Sequence, residues 1–235
     1  MIGHMETAPR TGLKLLIGPA NSGKMGYVMQ WWRERLSLAP VVVTPTVPDA
    51  RGLSREMAER TGGLVGQSPA LTFDGLVRSL LGRPPRYATD LERSLLMLRI
   101  LQHTPLEVLD SAMRFPGLPA ALAVLLQELS ESGRGPDELD RILDRWASES
   151  TGAGLARDIR SLAPAYAGEC ERWGLIDRAT AVRQATAEVE GWTRPVALYG
   201  FTSFTPGQRA LVDLLARRVE VLVVLTHDPA RAVGL

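Results

Sequence analysis

The stretch LLIGPANSGKMG, Leu15 to Gly26, constrains the fold more than any other segment of the chain. Gly18, Gly23 and Lys24 fall at the spacing of G-x-x-x-x-G-K-[ST], with Asn21 and Ser22 inside the turn. In such a loop the glycines let the backbone wrap a phosphate, and the lysine ammonium adds charge. The loop works only between a strand and a helix, because the anion rests on backbone N–H groups at the positive end of a helix dipole. The flanks meet that demand: LKLLI (Leu13–Ile17) is a short apolar run, and GKMGYVMQWWRERL has helical periodicity. All the basic residues except Lys14 and Lys24 are arginine, so a lysine at the one position that calls for a compact ammonium is a pointed exception. The last motif position, where a hydroxyl ordinarily ligates magnesium, is Met25. A thioether is a soft ligand that a hard cation rejects.

Downstream, PVVVTPT (Pro40–Thr46) reads as a second buried strand ended by Pro45. SREMAERTG reads as a helix closed by Gly62, and ALTFDGLVRSLLG as a short strand, a turn and a helix. From about Arg86 to Trp173 every pattern is helical. TDLERSLLMLRILQ opens with a capping box, Thr89 to Glu92, and GPDELDRILDRWASES starts with Pro136 in its first turn. GLARDIRSLAPAYAGECERWG continues as a helix with a bend expected at Pro164. Strands resume with RPVALYGF (Arg194–Phe201) and VEVLVVLTH (Val219–His227), which bracket TPGQRALVDLLARR, an amphipathic helix capped by Thr205. The predicted class is α/β: a parallel sheet core from residues 1–85 and 176–235, interrupted by an all-helical insertion over 86–175.

A single cysteine, Cys170, excludes an internal disulfide framework and a four-cysteine metal site. The longest apolar stretch, around Leu118 to Leu126, is too short to span a bilayer, and the start lacks a signal-peptide core. A cytoplasmic protein with no membrane partner is therefore expected. A net charge of +1 gives no global signal for nucleic acid.

Five segments occur in the order seen in the first motor domain of UvrD-like superfamily 1 helicases: GPANSGKM, VVVTPT, ALTFDGLV, GLIDRATAVRQA and LYGFTSFTPGQRALVDLLARR. The chain resembles that family across essentially all of its length. The GF-x-x-FTP-x-Q version and LLQELSESGRGPDEL resemble more specifically the AddB-type component of the AddAB helicase-nuclease and its PD-(D/E)XK relatives. The resemblance implies a P-loop NTPase-like (RecA-like) core and a degenerate, DNA-engaging part in break processing. It also implies single-stranded DNA and an AddA/UvrD-like subunit as partners. Laid on the family pattern DE-x-QD-x-x-x-x-Q, Tyr199 stands where the magnesium Asp belongs and Gly200 where the catalytic Glu belongs, while Thr202 replaces a Gln and Gln208 matches. Weak ATP or ADP binding with poorly held magnesium, and no ATPase activity, is the expectation. Neither a second motor domain nor a nuclease motif lies within these residues.

The phosphate-binding set is thus Gly18, Asn21, Ser22, Gly23, Lys24 and Met25, and the DNA-binding set carried by the resemblance is Pro45, Thr46, Thr72 and Phe73. Each has a plainer alternative: Phe73 as a core ring at a strand end rather than a base-stacking platform, and Pro45–Thr46 as an ordinary loop rather than a phosphate contact. The competing function is an active P-loop ATPase or small-molecule kinase whose metal is held by Asp49 or Asp228. Most of the five tryptophans are expected in packing, His103 and His227 have no metal-ligand spacing, and Arg99, Arg141 and Arg145 read as solvated helix surface.

Overall fold

The computed structural model describes residues 11–62, 68–132, 136–148 and 152–226. The chain divides into two compact units. One comprises Met1–Arg83, Val182–Phe204 and Gln208–Leu235, and the other Pro84–Ala181 with Thr205–Gly207. The sequence places the helical insertion at 86–175.

The first unit is built on five parallel strands: β1 (Gly12–Gly18), β2 (Val41–Thr44), β3 (Ala70–Thr72), β4 (Val196–Tyr199) and β5 (Glu220–Thr226), in the order β1-β5-β4-β2-β3. Buried parallel strands need apolar residues on both faces, and Val41–Val43, Val196–Leu198 and Val221–Val224 supply them. Helix α1 (Lys24–Arg33) follows β1, α2 (Val47–Thr61) follows β2, α3 (Phe73–Leu81) follows β3 and α9 (Pro206–Arg218) follows β4. The chain crosses the sheet one way from β1 to β3 and returns the other way from β3 to β5, so right-handed crossovers put α1 and α2 on one face and α3 and α9 on the other. Side-chain packing agrees. Val28, Met29, Trp31 and Trp32 of α1 and Leu53 and Met57 of α2 cluster with Val42, Ala70, Ala197, Leu222 and Val224. On the opposite face, Gly75 of α3 approaches Leu71 so closely that an added Cβ would stand 3.2 Å from the leucine Cβ.

β1 lies at the sheet edge, in register with β5 from Gly12 opposite Glu220 to Gly18 opposite Thr226. Its residues facing away from α1, Leu13, Leu15 and Ile17, are 52%, 55% and 52% exposed, so that face of the strand has no cover among the described residues. On the α1 face, Glu220 is buried and ties three elements together. Its carboxylate accepts hydrogen bonds from Lys14 Nζ (2.8 Å), Trp31 Nε1 (3.2 Å), Arg35 Nε (2.8 Å) and Arg35 Nη2 (3.0 Å). Burial alone would raise the carboxyl pKa, but the bonds from Arg35, Lys14 and Trp31 outweigh it and hold the group at about 2.

The second unit consists of α4 (Asp90–His103), α5 (Leu118–Glu131), α6 (Pro136–Ser148), α7 (Ala153–Arg172) and the start of α8 (Arg178–Ala187). The capping box at the head of α4 is present: Thr89 Oγ1 accepts from Glu92 N, and Glu92 accepts from Thr89 N at 2.8 Å. Leu96, Met97, Ile100 and Leu101 of α4 pack with Leu122 and Leu126 of α5 and with Ile159 and Leu162 of α7. α7 runs unbroken through Pro164. The buried Asp158 accepts hydrogen bonds from three consecutive backbone amides, Glu107 (2.7 Å), Val108 (2.9 Å) and Leu109 (2.9 Å), and so holds the connection between α4 and α5. Tyr87 and Ile176 form a parallel bridge where the chain enters and leaves this bundle. Among the described residues no helix is long and apolar enough to cross a membrane.

Candidate phosphate-binding site

All five strands point the same way, so the loops leaving their carboxyl ends share one edge of the sheet, where ligands of open α/β sheets bind. The phosphate-loop residues read from the sequence lie there, between Gly18 at the end of β1 and Lys24 at the start of α1. Gly23 is the N-cap of α1 and has φ +78°, a left-handed conformation that a Cβ would strain. Asn21 is also left-handed at φ +59°, a conformation asparagine tolerates better than most residues. At Gly18 an added Cβ would stand 2.9 Å from Ser22 Oγ, so the serine side chain would have to turn away.

No side chain caps the first turn of α1 and no acidic residue lies in it, so its leading N–H groups and the dipole face the loop uncompensated. Lys24 folds back over the loop. Its ammonium donates to Gly18 O at 2.9 Å, to Pro19 O and to Ser22 Oγ at 3.3 Å. Three acceptors match the three donors of an ammonium. This arrangement places one positive charge and several backbone donors around a short turn, which is the equipment for holding a tetrahedral oxyanion.

The magnesium that the family resemblance implies finds no fit in these residues. Met25 is half-buried and packs on the cluster beneath α1, and Tyr199, at the end of β4, packs on the same cluster. Gly200 has φ +86°, so a glutamate at this position would be strained by the backbone, with its Cβ in contact with Pro45 Cδ at 3.4 Å. The carboxylate proposed from the sequence as a substitute, Asp49, is engaged within its own helix turn: Thr46 Oγ1 donates to Asp49 Oδ2 at 2.5 Å and accepts from Asp49 N at 3.3 Å. Asp228 and His227 lie outside the described residues. Among the described residues no three metal-binding side chains come together.

The DNA-binding set resolves differently. Thr46 and Thr72 are helix N-caps: Thr46 starts α2, and Thr72 Oγ1 accepts from Gly75 N at 3.1 Å to start α3. α2 begins at Val47, seven residues before the helix read from SREMAERTG, because Thr46 caps it and Pro48 fits its first turn. Phe73 is 6% exposed, and its ring meets Phe201 edge to face at 6.2 Å. The exposed ring that base stacking needs is therefore not available at Phe73, which belongs to the core. Sequence reasoning gave Phe201 and Phe204 no role, yet they stack at 4.9 Å beside Phe73. The alternation GF-x-x-F was the available signal. Trp31, Trp32 and Trp192 are buried, in line with a packing role for most of the five tryptophans, while Trp146 and Trp173 are 37% and 49% exposed.

Charge is divided between the units. The α/β unit carries 16 basic and 11 acidic residues, and the helical unit 11 basic and 15 acidic. Any surface that attracts phosphates by net charge therefore belongs to the α/β unit. No family model matches the chain, and no curated protein matches it.

Proposed function

We propose that the α/β unit is a P-loop NTPase-like (RecA-like) module that binds a phosphate group without hydrolysing nucleotide. In this reading it is the degenerate, helicase-like region of one component of a DNA-break-processing helicase-nuclease. One observation carries the phosphate-binding part: Lys24 and the left-handed Gly23 stand at the turn from a parallel strand into a helix whose first N–H groups lack a side-chain cap. The loss of hydrolysis follows from Tyr199 and Gly200, which provide neither a metal ligand nor a base to orient water. The place in DNA processing rests on the resemblance of the ordered motifs, and the basic balance of the α/β unit is compatible with it. Against the competing kinase or ATPase reading stands the bonding of Asp49 to Thr46 at the head of α2.

Two assays test the proposal. Steady-state phosphate release, with and without single-stranded DNA, is expected to stay at background, and turnover of about one per second, an ordinary enzyme rate, would refute it. ADP or sulfate is expected to raise the melting temperature of the wild type and not of Lys24→Ala, since a ligand that binds only the native state stabilises it. Equal shifts in both proteins would reduce the loop to a turn.

A further inference from the structure

We infer that the loop takes its phosphate free of divalent metal, because the two positions that would hold magnesium carry partly buried side chains packed on the hydrophobic core. This inference rests on the phosphate-binding reading above. Met25 and Tyr199 come from different elements, the first turn of α1 and the last residue of β4, and stand 174 positions apart in sequence. Both nevertheless pack on one cluster, built from Val28, Met29, Trp32, Ala197 and Val224, and Leu16 of β1 packs on it as well. The register explains the convergence. Leu16 and Tyr199 both lie opposite Val224 on β5, so the row Leu16, Val224, Tyr199 crosses the sheet on the face that α1 covers, and Met25 enters from α1. The two residues are thus a joint apolar replacement and not two separate losses.

A divalent ion held there would give up water ligands for a thioether and an uncharged phenol in place of a hydroxyl and a carboxylate, which its hard character disfavours. The anion-binding parts stand apart from this floor: Lys24 Nζ is turned toward Gly18, Pro19 and Ser22, and the α1 N–H groups depend on backbone geometry alone. The ligand class is accordingly an uncomplexed phosphate or diphosphate. Magnesium acts only as a competitor, by withdrawing the free anion from solution.

The test is calorimetric titration of the 235-residue chain with inorganic pyrophosphate and with ADP, once in EDTA and once in excess magnesium. Binding in EDTA that is equal or several-fold weaker with magnesium supports the inference. Binding at least tenfold tighter with magnesium overturns it while leaving the phosphate-binding reading in place. No binding in either buffer, with Lys24→Ala indistinguishable from wild type, overturns the phosphate-binding reading itself. The double substitution Met25→Thr with Tyr199→Asp is expected to create a magnesium requirement, seen as at least a tenfold gain in pyrophosphate affinity on adding the metal. Should the double variant fail to fold, Met25→Thr alone is expected to show a smaller gain of the same sign. A folded variant whose affinity ignores magnesium would refute the role given to these two side chains.

Discussion

Replacing Glu220 with glutamine should destabilise the α/β unit by an amount that depends on pH in a calculable way. The carboxylate is 6% exposed and accepts four hydrogen bonds, from Lys14, Trp31 and twice from Arg35. Its pKa falls from 4.5 to about 2 because the bonds from Arg35, Lys14 and Trp31 overcome the opposing effect of burial. A shift of that size corresponds to about 3 kcal/mol of folding free energy at 1.36 kcal/mol per pKa unit. Glutamine keeps one acceptor oxygen and leaves the Arg35 guanidinium, whose side chain is only 14% exposed, with only the exposed Glu34 carboxylate at 3.3 Å. Because Lys14 is half exposed and its share is screened by solvent, the expected loss at pH 7 is about 2–3 kcal/mol. For a chain of this size that is a drop of roughly 5–10 °C in Tm. The folded pKa is depressed, so the stabilisation is complete above pH 4.5 and disappears as the pH falls toward 2. Scanning calorimetry of wild type and Glu220→Gln from pH 7 to pH 3 should therefore show a gap that narrows by more than half. A gap below about 1 °C at pH 7, or one that stays constant to pH 3, would refute the reasoning.

Three further outcomes are expected. Phe73→Ala should cost about 3–5 kcal/mol of stability, measured by denaturant unfolding, as a buried aromatic truncation does. In the folded fraction it should leave affinity for single-stranded DNA unchanged by anisotropy. Asp158→Asn should destabilise the helical unit by about 2–4 kcal/mol, because an amide in place of the carboxylate cannot accept from the three amides of residues 107–109. Direct DNA binding by the chain should be weak and have a shallow salt slope, given its net charge of +1; a steep slope in a salt titration would contradict this.

The parts of the structure that were readable in advance depend on neighbours in sequence. β2 is a β-branched run, the Thr89–Glu92 capping box spans one turn, and the motif around Lys24 needs only the strand and helix that flank it. The unread parts depend on distant partners or on conflicting local signals. Glu220 meets Arg35 across 185 positions, and Asp158 meets the amides of residues 107–109 across about 50, with nothing in either segment to announce the other. The start of α2 lies ahead of the helix read from SREMAERTG because Thr46 caps it and Pro48 sits in its first turn, where proline forfeits no helical hydrogen bond. Phe73 illustrates a rotation. Once Thr72 caps α3, the next residue occupies the first turn, and this turns its ring inward onto Phe201 rather than out from the strand end. At the phosphate loop, Met25 and Tyr199 are legible in the sequence as unsuitable ligands; only the register of β1, β4 and β5 reveals that they pack together.

The bridge at the entrance of the helical unit changes how that unit is best regarded. Tyr87 and Ile176 pair in parallel, and backbone bonds from Ala88 N to Ile176 O (3.3 Å) and from Ile176 N to Arg86 O (3.0 Å) secure the pair. A parallel pair cannot be joined by a hairpin and needs a crossover. Here the whole bundle from α4 to α7 serves as that crossover, closed at its base by this pair and held above it by its own core. Loop-closure entropy grows only with the logarithm of length, so doubling what lies inside the tie adds about 0.6 kcal/mol. Exposed connections within the bundle can therefore lengthen or shorten at little thermodynamic expense, whereas a substitution that loosens the pair at Tyr87 and Ile176 frees the base of the bundle and leaves its core to hold the rest.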